Sequence, residues 1–169
     1  SAMGAQQVTQ EGGLTFVVEH LREELDGMDT MELESAVALL SNIAKNGGDT
    51  DALLQAGVLD IIIDTLNLIS QHPEASPSLV TGIQNLVSCM LNPLGVDQLE
   101  GSVMGTSIFE SGIVERLDNI MGNDNAYLED HDCVMANSQM LDNLMAGGLT
   151  ENLMSMNLDE VLVSAMKLN

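Results

Sequence analysis

The sequence predicts an all-α protein whose helices repeat and stack into a solenoid. Three observations carry this. Hydrophobic residues make up 45% of the 169, yet aromatics are only 2% and Trp is absent, so the core must come from Leu, Ile, Val, Ala and 12 Met. That mix favours helices over strands. Only 3 Pro interrupt the chain, and Gly recurs where helices can stop. The third observation is an internal repeat. With one deletion, residues 40–66 (LSNIAKNGGDTDALLQAGVLDIIIDTL) run parallel to 141–166 (LDNLMAGGLTENLMSMNLDEVLVSAM). Asn42 matches Asn143, Gly47-Gly48 matches Gly147-Gly148, and Ile61-Ile62-Ile63 matches Val161-Leu162-Val163.

Two partial copies fill the gaps: 11–25 follows the pattern of 56–70, and 108–121 that of 53–66. The main apolar helix of each copy starts at Leu14, Val58, Ile113 and Leu158, at intervals of 44, 55 and 45. The middle interval is long because 93–104 (PLGVDQLEGSVM) is extra. That insert is either a functional loop, a turn of helix or a neutral addition.

Each copy reads as three helices. A short first helix (49–56, 106–111, 150–156) ends at Gly57, Gly112 or Asn157, residue types suited to a left-handed stop. A second helix follows at 13–25, 58–71, 113–121 and 158–168. Its apolar stripe is clearest in Val58, Ile61, Ile62, Thr65, Leu66 and Ile69. A third, longer helix is expected at 30–46, 77–91 and 128–145. Asp29-Thr30 and Ser76-Pro77-Ser78 supply N-cap and first-turn residues. No unit can bury its apolar stripe alone, and stacking neighbours resolves that.

The charge balance is lopsided: 26 acids against 4 Lys or Arg give −22. Such a field repels nucleic acid and anionic membranes and attracts basic partners, or serves solubility alone. Cys89 and Cys133 form no CxxC pair and sit in apolar helical settings, so both are expected reduced and buried, as in a cytoplasmic or nuclear protein. No apolar run approaches the roughly 20 residues of a membrane span. Ser1-Ala2-Met3 has the form of a protease scar ahead of a start Met, so 1–4 is expected to be an expression remnant and the rest a piece cut from something longer.

The chemical motifs are sparse. His20, His72 and His131 are scattered, and no nucleophile elbow or phosphate loop accompanies them. Glu129, Asp130 and Asp132 around His131 fit a helix N-terminus better than a metal site. The run from Asp124 lacks the Gly and twelfth-place Glu of a calcium loop. Neither a catalytic set, a metal nor a cofactor is expected. The Met residues read as core filler more readily than as an adaptable surface.

The stretch SAVALLSNIAKNGG (35–48) resembles the armadillo-repeat signature of importin-α and β-catenin relatives, and DTDALLQAGVLDIIIDTL is similar to the same family's opening. A HEAT-type hairpin repeat is the alternative, although it usually lacks the short first helix and the Asn. The armadillo resemblance implies a right-handed α-solenoid with three repeats at about 5–48, 49–92 and 105–148 and a partial fourth at 149–169. It also implies that third helices line a concave groove, where Asn42, Asn85 and Asn143 hold the backbone of an extended partner segment, or else hydrogen-bond within the stack. The aromatic clamp that importin-α places one turn earlier is replaced by Ala38, Thr81 and Gln139, which argues against an import receptor. The expected function is a protein-interaction scaffold for an extended or basic segment. The alternative is an assembly segment of a longer solenoid, self-associating through Leu158, Val161, Leu162 and Met166 at an uncapped end.

Overall fold

Helix starts and stops fall where side chains or glycine can satisfy the backbone groups that a helix end leaves open. The computed structural model describes residues 13–45, 50–72, 74–91 and 103–145. All regular structure among them is helical. The helices are α1 (Gly13–Glu24), α2 (Thr30–Lys45), α3 (Thr50–Ala56), α4 (Val58–Gln71), α5 (Pro77–Leu91), α6 (Val103–Ser111), α7 (Ile113–Asn123), α8 (Asn125–Glu129) and α9 (His131–Leu144). A 3-10 turn, Leu25–Gly27, finishes α1.

Three aspartates cap. Asp29 Oδ1 accepts from the Glu32 N–H at 2.8 Å, Asp124 Oδ1 from Ala126 at 2.9 Å, and Asp130 Oδ1 from Cys133 at 2.9 Å. Each such cap contributes about 1 kcal/mol. The Asp130 cap explains one departure from expectation. A single helix over 128–145 is predicted, but Asp130 is extended (φ −84, ψ 112), so α8 and α9 are separate. At the other end of that region α6 starts at Val103, so the last two residues of the 93–104 insert are helical. The rest of the insert, both Gly-Gly pairs and everything after 145 lie outside the described residues.

Gly57 (φ +90) and Gly112 (φ +81) take the left-handed conformation expected of them. Each ends one helix and starts the next. Gly57 N–H donates to Leu54 O at 3.2 Å while its carbonyl accepts from Ile61 N–H at 3.3 Å. Gly112 does the same with Phe109 and Arg116. A side chain there costs roughly 1–2 kcal/mol from the left-handed backbone alone. The space is also taken: the guanidinium of Arg22 lies 2.5 Å from where a Cβ would stand at Gly57, and that of Arg116 lies 2.7 Å from the one at Gly112.

Two rows of helices result. The largest contacts join α2 to α5 and α5 to α9. Behind them α1 touches α4, and α4 touches α7, with the short α3 and α6 wedged between. The expected stripe of α4, from Val58 to Ile69, is buried at every one of its six positions. In α5, Leu79, Val80, Ile83, Leu86, Val87 and Met90 are all enclosed. Burying a Leu or Ile side chain stabilises by about 1.5–3 kcal/mol, so these two helices anchor the core. Met90, Met121 and Met140 are core, while Met31 and Met135 are exposed. Cys133 is buried as expected; Cys89 is only half-buried, because it sits on the outer side of α5.

Candidate partner-binding face

The helices α2, α5 and α9 run parallel. Thr30 and Glu34 of α2 share a cleft of about 330 Å³ with Ser76, Pro77 and Ser78 at the start of α5. Lys45 at the end of α2 is close enough to act on the Cys89 thiol near the end of α5. Between α5 and α9, Thr81 is hydrogen-bonded with Cys133, and one turn on in both helices Gln84 is hydrogen-bonded with Asn137.

Burial gives one consistent alignment of these helices. The buried Ala36, Val37, Leu40, Ile43 and Ala44 of α2 map onto Leu79, Val80, Ile83, Leu86 and Val87 of α5, each 43 positions on. Leu79, Ile83, Leu86, Val87 and Met90 map onto Cys133, Asn137, Met140, Leu141 and Leu144 of α9, each 54 on. On that alignment the exposed amides Asn42, Asn85 and Gln139 correspond, with Ala38, Thr81 and Met135 one turn before them. Asn143, which the repeat matches to Asn42, stands one turn further along α9 than Gln139. Its Oδ1 accepts from Gln139 Nε2 at 3.1 Å, and its Nδ2 is enclosed without a hydrogen-bond partner. Thr81 is partly turned inward: its hydroxyl donates to the Pro77 carbonyl at 2.8 Å.

The floor of this face is neutral. Helix α5 carries no charged residue, and its outward positions are Ser78, Thr81, Gly82, Asn85 and Cys89. Acids gather at the N-terminal edge instead. Asp29, Glu32 and Glu34 stand at the start of α2, Glu74 precedes α5, and Asp130 and Asp132 begin α9. Three parallel helix dipoles present their positive ends at that edge, and carboxylates there are favoured by roughly 0.3–1 kcal/mol each. A further set, including Glu19, Glu23, Asp60, Asp64 and Glu115, is exposed on α1, α4 and α7. Among the described residues the outward face of α5 is thus free of charge, and the nearest acid beyond that edge is Asp142 of α9.

Directly beneath the row lies a polar cluster that sequence reading passed over. Gln84 is fully buried; its Nε2 donates to Asn137 Oδ1 at 3.4 Å and points at the Met121 sulfur at 3.5 Å. The Cys133 thiol donates to Gln84 Oε1 at 3.8 Å. Burial pushes that thiol up to about 11, and the nearby Asp130 carboxylate adds to the rise against its hydrogen bonds with Thr81 and Gln84. Burial also raises the Cys89 thiol, with Lys45 pulling the other way. The signal was present in the spacing. Gln84 shares a helical stripe with Val80, Val87 and Leu91, and Asn137 with Cys133, Met140 and Leu144.

Among the described residues no group of three or more His, Cys, Asp or Glu is placed to hold a metal ion. No described helix is long and apolar enough to cross a membrane. Leu158, Val161, Leu162 and Met166 lie outside the described residues. No family model, curated protein or solved structure matches this chain.

Proposed function

We propose that the chain is a protein-interaction module, a right-handed armadillo-type solenoid of three repeats and part of a fourth. Its α2–α5–α9 face receives an extended, basic segment of a partner. One feature supports the reading: aligned by burial, the neighbouring helices α2, α5 and α9 each carry an exposed primary amide, Asn42, Asn85 and Gln139. Packed helices stand about 8–10 Å apart, and an extended chain advances about 3.3 Å per residue. A strand laid across the row therefore meets one amide every third residue. Each amide can donate to a main-chain carbonyl and accept from an N–H, a sequence-tolerant grip. Small side chains at Ala38 and Thr81 leave room for the strand. Selectivity for positive charge comes from the acidic edge, which acts more on association rate than on the final contacts.

Peptide selection tests this. A displayed library of random peptides is panned on the full chain, and the enriched peptides are titrated against the variant Asn42→Ala/Asn85→Ala/Gln139→Ala. The expected result is basic, Pro- and Gly-poor peptides whose affinity falls at least tenfold in the variant and falls again with added salt. Peptides that bind the variant as tightly as the parent chain would sink the groove reading. All three positions are exposed, so the variant should keep its helical circular dichroism.

A second reading, an assembly segment of a longer solenoid, draws on the exposed apolar side chains Phe16, Met31 and Leu39 at the α1–α2 end. It predicts a mass that grows with concentration, which the same chain in sedimentation equilibrium would reveal.

A further inference from the structure

A cleft of about 130 Å³ opens where the turn between α4 and α5 meets the joint between α7 and α8. Ile69, Ile120 and Tyr127 line it and are almost wholly buried, so they form its inner wall. Glu74 and Asp124 line it too and are exposed, so they stand at its mouth. Local chemistry holds the two segments together. The Tyr127 hydroxyl accepts the Ser76 N–H at 3.0 Å, which ties the turn that carries Glu74 to the helix that Asp124 caps. Asp124 spends Oδ1 on the Ala126 N–H, and its second oxygen is left for another donor. No Lys or Arg lines the cleft. Among the described residues no cation, His72 of the lining included, comes within ion-pair distance of either carboxylate.

We propose that this cleft seats one arginine side chain of a protein partner. Size, shape and charge favour that occupant. A cavity of about 150 Å³ holds a benzene ring, so the cleft has room for one planar group and not for a stretch of peptide. A guanidinium is planar and carries five donors in a fixed fork, enough to serve Glu74 and Asp124 together. Its aliphatic stem can lie on Ile69 and Ile120 while the charged end stays at the mouth. A metal ion fits less well, because among the described residues no group of three or more His, Cys, Asp or Glu is placed to hold one. The main chain of the partner also has a path. His72, Glu74 and Ala75 line the adjoining cleft as well, which runs past Glu34 to Ser78 along the same acidic edge.

This seat does not depend on the amide row, and the experiment separates the two. The probe is acetyl-arginine methylamide, titrated into the isotope-labelled full chain at neutral pH and followed by backbone amide chemical shifts. Acetyl-citrulline methylamide, the neutral isostere, and calcium chloride are the controls. Three chains are compared: the parent, Glu74→Gln/Asp124→Asn, and Asn42→Ala/Asn85→Ala/Gln139→Ala. Asn at 124 keeps an oxygen for the α8 cap, and both acidic positions are exposed, so the carboxylate variant should keep its fold. The arginine probe should give saturable shifts centred on Ile69–His72 and Ile120–Tyr127, alike in the parent and the amide-row variant. Affinity should fall roughly fivefold in the carboxylate variant, and by a similar factor for citrulline on the parent. No saturable shift, equal binding of citrulline, an unaffected carboxylate variant, or shifts spread evenly over the acidic surface would each overturn the proposal. Calcium moving the same amides would overturn it in favour of a metal. Loss confined to the amide-row variant would overturn it in favour of the α2–α5–α9 face.

Discussion

Helix α5 meets α2 through a bare glycine against Val37, and meets α9 through a buried amide pair and a thiol. The first interface is apolar, with Val37 seated against Gly82. The second holds Gln84 and Asn137 in the core, where an unmatched polar group costs about 1–3 kcal/mol. Sliding α9 by a residue would separate those groups, so the polar interface penalises wrong alignments that an aliphatic one would accept. The apolar side supplies stability and the polar side supplies alignment.

The largest effect expected from this contrast is at Gly82. A Cβ there meets Val37 at ordinary contact distance, so Gly82→Ala should raise stability by up to about 1 kcal/mol through helix propensity. Gly82→Leu should instead drive α2 away and cost about 3 kcal/mol. Urea unfolding followed by circular dichroism reads both, and equal stability of the two variants would mean that the α2–α5 contact is loose. A middle-sized effect belongs to the amide pair. Gln84→Leu should cost about 2 kcal/mol by stranding Asn137, and adding Asn137→Leu should recover most of it, because replacing both partners removes the penalty. A double variant that is stable but shows broadened α9 resonances by NMR would sharpen the alignment role. One as well ordered as the parent would break it.

A third effect is confined to the alkaline limb of the stability curve and is absent at neutral pH. The Cys133 thiol is raised in the folded state from an ordinary value of 9.0 to about 11. The folded chain therefore prefers the protonated thiol, and below pH 9.0 this contribution is fully present. As pH climbs from 9.0 toward about 11 the unfolded chain ionises first, and stability falls. Cys133→Ala should flatten that fall. An unchanged slope in pH-jump denaturation would mean that the thiol already ionises freely in the folded chain.

Much of the local structure was legible in the residues. The stripe from Val58 to Ile69, the left-handed Gly57 and Gly112 and the cap at Asp29 all follow from periodicity and end chemistry. The break at Asp130 was not, because Tyr127-Leu128-Glu129 continues a helical pattern and only the capping geometry interrupts it. The exact member of the amide row was hidden for a more general reason. Gln139 and Asn143 are four residues apart, and a four-residue shift keeps nearly the same helix face. The repeat keyed on the Gly-Gly pairs puts Asn143 opposite Asn42, and an alignment by burial four residues shorter puts Gln139 there. The buried Gln84 was readable by its stripe but disguised by its chemistry.

The guanidinia at the glycine junctions bear on proteolysis. Trypsin has four places to cut this chain, after Arg22, Lys45, Arg116 and Lys167. Arg22 lies inside α1 and Arg116 inside α7, each folded against the bend that joins a short helix to a long one. A protease must have several residues in extended form, so neither bond is cleavable until its helix opens. The order in which the fragments appear in a limited digest therefore ranks the two helices by how readily each unzips.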